Sequence, residues 1–319
     1  MTNCSLGIDT SCYTTSVAIL DEHAQVIADC RRILTVHPGK RGLQQSEMVF
    51  QHTRNLPELF DQACQKLNKP VCFKAIGVSA FPRPLPDSYM PAFLVGKGYA
   101  KVLALTQAIP LHCISHQENH IFAGIRSAGG PVASSFLAVH LSGGTTEIVK
   151  VTRATLSPDS NRLDIEILGG TQDIHAGQLV DRIGVLLGLQ FPAGPHLEAL
   201  AAQEKGIKIP LTIRDCSVSF SGPETYIRKL VTQGTEPATI AACVEQCIAQ
   251  AVTAMIKQAI SRTGFTEVLL VGGVSANQFI RKYLIDQLEI TGLAKLYFPK
   301  PSYSPDNATG AAYFALISQ

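Results

Sequence analysis

No apolar run in this chain reaches the length of a membrane span, and the opening Met1-Thr2-Asn3-Cys4 lacks a basic segment followed by an apolar one. Neither an export signal nor a membrane anchor is therefore expected, and the expected location is cytoplasmic. The nine cysteines include no C-x-x-C pair, and their odd number is spread through apparent strands and helices. That argues against a disulfide framework and for reduced thiols; Cys243 and Cys247 are expected to pack as small hydrophobes. An excess of one charge is missing too. The formal net charge of +2 neither favours nor excludes a nucleic-acid partner. Low-complexity segments and flexible linkers are absent. What is present, 46% hydrophobic and 16% charged residues over 319, is ample for one large core or two ordinary ones.

The strongest chemical signal is His116-Gln117-Glu118-Asn119-His120, followed by Ile121-Phe122-Ala123. Histidines four apart on a helix project from one face, close enough to share an ion, and imidazole suits zinc or ferrous iron. The same pattern also serves a helix whose histidines hydrogen-bond neighbours or face water. A metalloprotease reading fails on spacing. H-E-x-x-H needs its glutamate directly after the first histidine, and Glu118 lies about 200° round the helix from His116.

Along the chain, alternation and turn residues predict strands over 5–8, 16–20 and 25–31, then a helix over 45–67. A buried strand over 75–79 leads into the proline-studded loop Phe81-Pro82-Arg83-Pro84-Leu85-Pro86-Asp87. A helix over 92–106, a short strand over 111–114 and the histidine helix follow. At Pro131 the pattern restarts, with strands over 136–140, 147–151 and 163–168. Helices over 176–188, 193–205, 223–233 and 239–263 come next, then an apolar strand over 268–271. The shared opening of the two halves implies duplicated α/β lobes facing a cleft, residues 1–130 and 131–319, with the last helix packing back toward the first lobe.

Several turns have the composition for ligand binding. Ser142-Gly143-Gly144-Thr145-Thr146 suits a phosphate, though an ordinary hairpin has the same make-up. Asp9-Thr10-Ser11 is its hydroxyl-rich counterpart in the first half. Gly272-Gly273, with Asn277 opening a helix, fits a nucleotide at the carboxyl end of a strand or plain strand–helix packing. Asp306, beside Asn307, reads as a helix N-cap. Arg31, Arg32, His37, Lys40 and Arg41 form a basic group, for which a solvated loop is expected.

The order of these pieces resembles the TsaD family, also called Gcp or glycoprotease-like. The resemblance runs through Gly7-Ile8-Asp9-Thr10-Ser11-Cys12, the histidine pair, Leu141-Ser142-Gly143-Gly144 and Ala176-Gly177 with Asp181. It continues through Phe191-Pro192-Ala193-Gly194-Pro195 with Glu198, Phe220-Ser221-Gly222, Gly272-Gly273-Val274-Ser275-Ala276-Asn277 and Asp306-Asn307. It implies an α/β, duplicated actin/hexokinase/Hsp70-like ATPase fold, two lobes around a nucleotide cleft. It also implies transfer of a threonylcarbamoyl group from threonylcarbamoyl-adenylate to the tRNA adenosine 3′ of the anticodon. Carried over, His116, His120 and Asp306 would hold a divalent metal, iron or zinc. His140, Leu141, Ser142, Gly143 and Gly144 would hold the phosphate of ATP or the adenylate. Asp181, Gly194, Glu198 and Asn277 would hold ribose and base, and Asp9 and Ser11 are the candidate catalytic residues. The implied partners are tRNA and TsaB-like and TsaE-like proteins, with a homodimer also open.

The sequence departs from the family pattern at Tyr13-Thr14, where an acidic pair is usual, and at Thr145, where histidine is. Phe81 to Asp87 replaces a Thr-Arg-Gly-Pro-Gly loop, Asp173-Ile174-His175-Ala176-Gly177-Gln178 replaces Asp-Asp-Ala-Ala-Gly-Glu, and Glu224 replaces a lysine. These changes suit a divergent paralogue. Two other functions therefore stand beside the transferase: a TsaB-like dimerisation partner, and a small-molecule kinase with Asp9 as base.

Overall fold

The computed structural model describes residues 2–36, 43–85, 87–153, 162–202 and 204–319. The chain divides into two compact units. One comprises Met1–Gly130, Arg153–Leu163 and Pro305–Gln319, the other Pro131–Thr152 and Asp164–Ser304.

The first unit opens with β1 (Thr2–Asp9), β2 (Thr14–Asp21), β3 (Val26–Ile33) and α1 (Gln45–Gln65). It continues with β4 (Val71–Phe81), α2 (Phe93–Gln107), β5 (Leu111–Ser115) and α3 (His116–Ala128). The second unit contains β6 (Ser135–Leu141), β7 (Thr146–Arg153) and β8 (Leu163–Gly170) apart from their end residues Arg153 and Leu163, then α4 (Ala176–Leu186) and α5 (Gly194–Ala201). After the ribbon β9 (Ile213–Arg214) and β10 (Ser217–Val218) come α6 (Ser221–Thr232), α7 (Pro237–Thr263), β11 (Glu267–Val271), α8 (Gln278–Leu284) and β12 (Lys295–Tyr297). The chain then returns to the first unit with α9 (Thr309–Ile317).

The two sheets share one topology. The first has the order β3-β2-β1-β4-β5; the second, read from its opposite edge, is β8-β7-β6-β11-β12. In each, the central strand (β1 or β6) pairs antiparallel with its successor and parallel with the strand that follows a helical crossover. Such central strands are covered on both faces, which explains their unbroken apolar runs. Leu6, Ile8, Ile76 and Val78 enter one core; Leu137, Val139, Val268 and Leu270 enter the other.

Sequence periodicity carries α5 to residue 205, but Ala202 leaves helical space (ψ 120°) and ends it at Ala201. Strand β4 begins four residues before the expected 75, because its partly exposed start pairs with β1 without an apolar run to announce it. Among the described residues α7 alone is long and apolar enough to cross a membrane (mean hydropathy 1.4), a property the sequence reading did not give it. In the fold it is a core helix, with 78% of that window buried and Cys243 and Cys247 among its core residues. The basic group resolves in part: Arg31 pairs with Asp29 and Arg32 with Glu58 on and beside β3. His37, Lys40 and Arg41 lie outside the described residues.

Glycines set how closely α9 approaches the first sheet and α3. A Cβ on Gly7 would lie 2.1 Å from the Ala308 carbonyl oxygen, one on Gly77 1.9 Å from that of Ala311, and one on Gly310 1.9 Å from that of Asn119. Each obstacle is backbone, which has little room to give. Gly77→Ala is therefore expected to destabilise the protein by about 2 kcal/mol or more, read as a lowered urea midpoint with an unchanged slope.

Candidate functional site

Helix α3 begins with a reciprocal cap. The Ser115 hydroxyl accepts from the Glu118 N–H (3.1 Å), while the Glu118 carboxylate accepts from the Ser115 N–H (2.7 Å) and hydroxyl (2.6 Å). Glu118 thus fixes the first turn of the helix that carries the histidines, a structural role.

His116 and His120 lie one turn apart with ring centroids separated by 4.5 Å and Nε2 atoms by 3.1 Å. Asp306 Oδ1 stands 3.6 Å from His116 Nε2 and 3.3 Å from His120 Nε2. The N-cap expectation for Asp306 is corrected here. Asn307 Oδ1, not Asp306, accepts from the Thr309 N–H at the start of α9 (3.0 Å), which leaves Asp306 turned to the imidazoles. A triangle with sides of 3.1, 3.3 and 3.6 Å has a circumradius of about 1.9 Å. Zinc–nitrogen and zinc–oxygen bonds run about 2.0–2.2 Å, so one cation just off the plane reaches all three atoms. The donor set fits a divalent transition metal.

Asp9, fully buried at the end of β1, places Oδ2 3.7 Å from His116 Nδ1. This has the sense of a carboxylate–histidine–metal relay, at a separation longer than a hydrogen bond. Its oxygens accept from the Ser11 N–H (2.9 Å) and the Asn119 amide (3.1 Å). Ser11 is buried, and its hydroxyl has no partner among the described residues. Burial opposes charge on both imidazoles. On His116 the Asp9 and Asp306 carboxylates outweigh it and the pKa rises. On His120 burial and the neighbouring His116 prevail and the pKa falls.

Asn119 is the residue whose role the sequence reading missed. Its Nδ2 donates to Asp9 Oδ2 (3.1 Å) and to the Asn307 carbonyl (2.7 Å), and its Oδ1 accepts from the Ala311 N–H (2.7 Å). One buried amide therefore joins β1, the Asp306 loop and α9 to the histidine helix. Replacing the partners of metal ligands typically costs 10–100-fold in metal affinity. Asn119→Leu is expected to weaken metal binding by at least about tenfold on that scale, measured by chelator competition on folded protein.

In the second unit, the turn after β6 closes on its own serine. Ser142 N–H donates to the Thr145 carbonyl (2.8 Å), and Ser142 Oγ accepts from the N–H groups of Gly144 (3.3 Å) and Thr145 (3.0 Å). Gly143 and Gly144 are exposed, with nothing within 4 Å of a Cβ position. Gly177 and Gly272 flank the same backbone: a Cβ would lie 2.6 Å from Gly143 N and 2.3 Å from the Leu141 carbonyl oxygen respectively. Gly272 also has a φ of +91°, and its Cβ position is 2.9 Å from His140 Cδ2. His140, Leu141, Ser142, Gly143 and Gly144 thus form one tightly framed turn.

The expected ribose and base residues form linked pairs. Asp181 Oδ1 accepts from the Ala193 N–H (2.8 Å), next to Gly194 at the start of α5. Glu198 accepts from the Gln278 N–H (2.8 Å), next to Asn277. Asn277 caps α8 through Ile280 N–H (2.9 Å) and donates its amide to Glu245 (2.5 Å). Burial raises the Asp181 pKa. Glu245, buried on α7, is pushed up to about 7 by burial, partly offset by Asn277 and reinforced by Glu198. The sequence signal for Glu245 was a lone acid in an apolar helical stripe. Folded Glu245 keeps its proton to about pH 7, whereas the ordinary value is 4.5. Its contribution to stability is whole below pH 4.5 and fades as pH rises through 7, by up to about 3 kcal/mol. Glu245→Gln, which stays neutral, should flatten that part of a pH–stability profile measured by denaturant unfolding.

The departures from the family pattern have local partners. Glu224 is buried between Arg182 (3.0 Å) and Arg228 (2.8 Å), so its reversed charge is compensated on the spot. Gln178 accepts from the His175 N–H (3.1 Å) at the start of α4. Thr146, where the family also has threonine, accepts from the Ala176 N–H (2.8 Å).

Solved structures with the same architecture define the class. HypF in its phosphate- and nucleotide-bound form matches with a TM-score of 0.60 at 13% identity, over 99% of this chain and 46% of that longer one. Component A of Acidaminococcus fermentans (R)-2-hydroxyglutaryl-CoA dehydratase matches at 0.55 and 16%, over 99% and 98%. A ROK family glucokinase from Streptomyces griseus, in complex with glucose and AMPPNP, matches at 0.53 and 11%, over 98% and 99%. The fold is that of the actin-like ATPases. Within that class, residues 31–313 match the TsaD family model, described as tRNA N6-adenosine threonylcarbamoyltransferase. The curated enzyme of that name from Aromatoleum aromaticum is 31% identical over 97% of this chain and 89% of its own length. The chain belongs to this family.

Proposed function

We propose that the protein is a metal-dependent transferase that moves a threonylcarbamoyl group from threonylcarbamoyl-adenylate to the tRNA adenosine 3′ of the anticodon. The observation that carries this is the convergence of His116, His120 and Asp306 on one ion-sized triangle in a chain of this family. The adenosine N6 attacks the carbamoyl carbon, the bond from that carbon to the phosphate oxygen breaks, AMP leaves, and the N6 proton passes to solvent. The turn from His140 to Gly144 holds the phosphate through backbone N–H groups and steadies it as it departs. Asp181, Gly194, Glu198 and Asn277 hold ribose and base. Asp9 positions His116, and the buried Ser11 hydroxyl is a donor for the carbamoyl group. When bound, the metal supplies Lewis-acid anchoring of a phosphate or carbamoyl oxygen. Iron and zinc both suit two imidazoles and a carboxylate.

The acceptor is tRNA, and the proposed partners are TsaB-like and TsaE-like proteins in the cytoplasm. The test is expression in a strain depleted of its own enzyme, with matching partners supplied. Mass spectrometry of digested tRNA should show threonylcarbamoyladenosine restored by the native chain and absent with His116→Ala or Asp306→Ala. The purified protein should hold about one iron or zinc ion, a stoichiometry lost in His116→Ala. A folded, metal-bearing chain that fails to restore the nucleoside would sink the transferase and favour a dimerisation partner.

A further inference from the structure

The turn after β1 brings a sulfur to the same centre. Cys12 Sγ, a ring nitrogen of His116 and a carboxylate oxygen of Asp306 all lie within 4.8 Å of one another. We propose that Cys12 is a further ligand of the cation, giving a mixed donor set of two imidazole nitrogens, one carboxylate oxygen and one thiolate sulfur. This rests on reading His116, His120 and Asp306 as a metal centre.

Donors sharing one tetrahedral ion stand about 3.3–3.6 Å apart for metal–nitrogen and metal–sulfur bonds of about 2.0 and 2.3 Å. The 4.8 Å limit on the Cys12, His116 and Asp306 atoms is longer than that, so the thiol moves toward the imidazoles and the carboxylate when the ion binds. The backbone that presents the thiol is held on several sides. Ser11 N–H is bound by Asp9 Oδ1 (2.9 Å), and the Tyr13 carbonyl accepts from Leu34 N–H (2.7 Å). The Cys12 carbonyl lies 3.1 Å from Nε2 of the buried His52. A carbonyl only accepts, so this Nε2 carries the ring proton, and Nδ1 accepts from the Thr15 hydroxyl (2.8 Å). The contrast with other cysteines is instructive. Cys4, Cys30, Cys216, Cys243 and Cys247 sit in apolar cores, whereas Cys12 is half-buried beside an imidazole and a carboxylate. A thiolate would bias the centre toward soft or borderline ions such as zinc, ferrous iron and cobalt, and against magnesium, calcium and manganese.

The test titrates metal-free full-length protein with Co(II) and follows its absorption spectrum. One equivalent is expected to give visible ligand-field bands plus a near-ultraviolet thiolate-to-cobalt charge-transfer band. Cys12→Ser should abolish the charge-transfer band and keep the visible bands, and its zinc affinity should fall at least about tenfold. Thermal melts of the metal-free Cys12→Ser and Cys12→Ala proteins check that both are folded. A charge-transfer band that is missing in the native protein or unchanged in Cys12→Ser, with visible bands still lost in His116→Ala, would remove Cys12 and leave the metal centre standing. Cobalt binding that ignores His116→Ala, or no binding, would overturn the metal-centre reading and this proposal together.

Discussion

Asp306 reaches the histidines because α9 lies backbone against backbone on the first sheet and on α3. Three glycines, one on β1, one on β4 and one on α9 itself, make that approach possible. The residue just before the helix is thereby delivered to the start of α3, nearly two hundred positions away in the chain. Asn119 then locks the arrangement, because one amide serves acceptors on β1 and on the Asp306 loop and also receives a donor from α9. A side chain that satisfies three elements at once cannot shift for one of them without stranding buried polar groups on the others.

The electrostatics of this cluster favour a cation. Asp9 is entirely buried and Asp306 mostly so, and among the described residues the imidazoles of His116, His120 and His52 and the thiol of Cys12 are titratable groups that interact with them. Burial makes it costly to protonate both histidines, and with their Nε2 atoms 3.1 Å apart each positive ring penalises the other. One proton on His116 leaves two carboxylates against one positive charge. A divalent ion balances the charge of the two carboxylates while leaving both imidazoles in the unprotonated state that ligation needs. A cluster that merely stabilised the fold would be better served by apolar side chains of the same volume.

Much of this was legible in the sequence, for identifiable reasons. Central strands buried on both faces give continuous apolar runs, so β1, β6 and β11 were found, and helical spacing exposed the histidine pair. The strand pattern restarts at Pro131, where the second unit begins, but that unit ends at Ser304 rather than at 319. Other parts were hidden. The role of Asp306 was obscured because an Asp-Asn pair before a helix looks the same whether the first or the second residue binds the helix start. Asn119 sat inside the histidine motif, yet its partners lie 110 to 192 positions away, beyond any local pattern. Glu245 is a lone acid in an apolar helical stripe and drew no reading, and its partner Asn277 lies 32 positions away. Cys12 was read as part of a family motif because nothing in its neighbours in sequence announces Asp306.

The two units also show how one scaffold presents turns of opposite polarity. Each has a central strand, a four-residue turn and an antiparallel return strand. In each, an oxygen at the strand end accepts an N–H from the turn: Asp9 Oδ1 from Ser11 in the first, Ser142 Oγ from Gly144 and Thr145 in the second. The difference lies in what the turn then displays. A buried carboxylate followed by a hydroxyl and a thiol offers electron pairs and negative charge, which attract a cation. A neutral hydroxyl followed by two bare glycines carries no negative charge, and its oxygen gathers the N–H groups of Gly144 and Thr145. Duplicating the fold therefore did not require duplicating the chemistry. The two turns differ by a carboxylate in place of a hydroxyl and by side chains in place of glycines, while the histidine pair and Asp306 are brought to the first turn by α3 and the loop before α9.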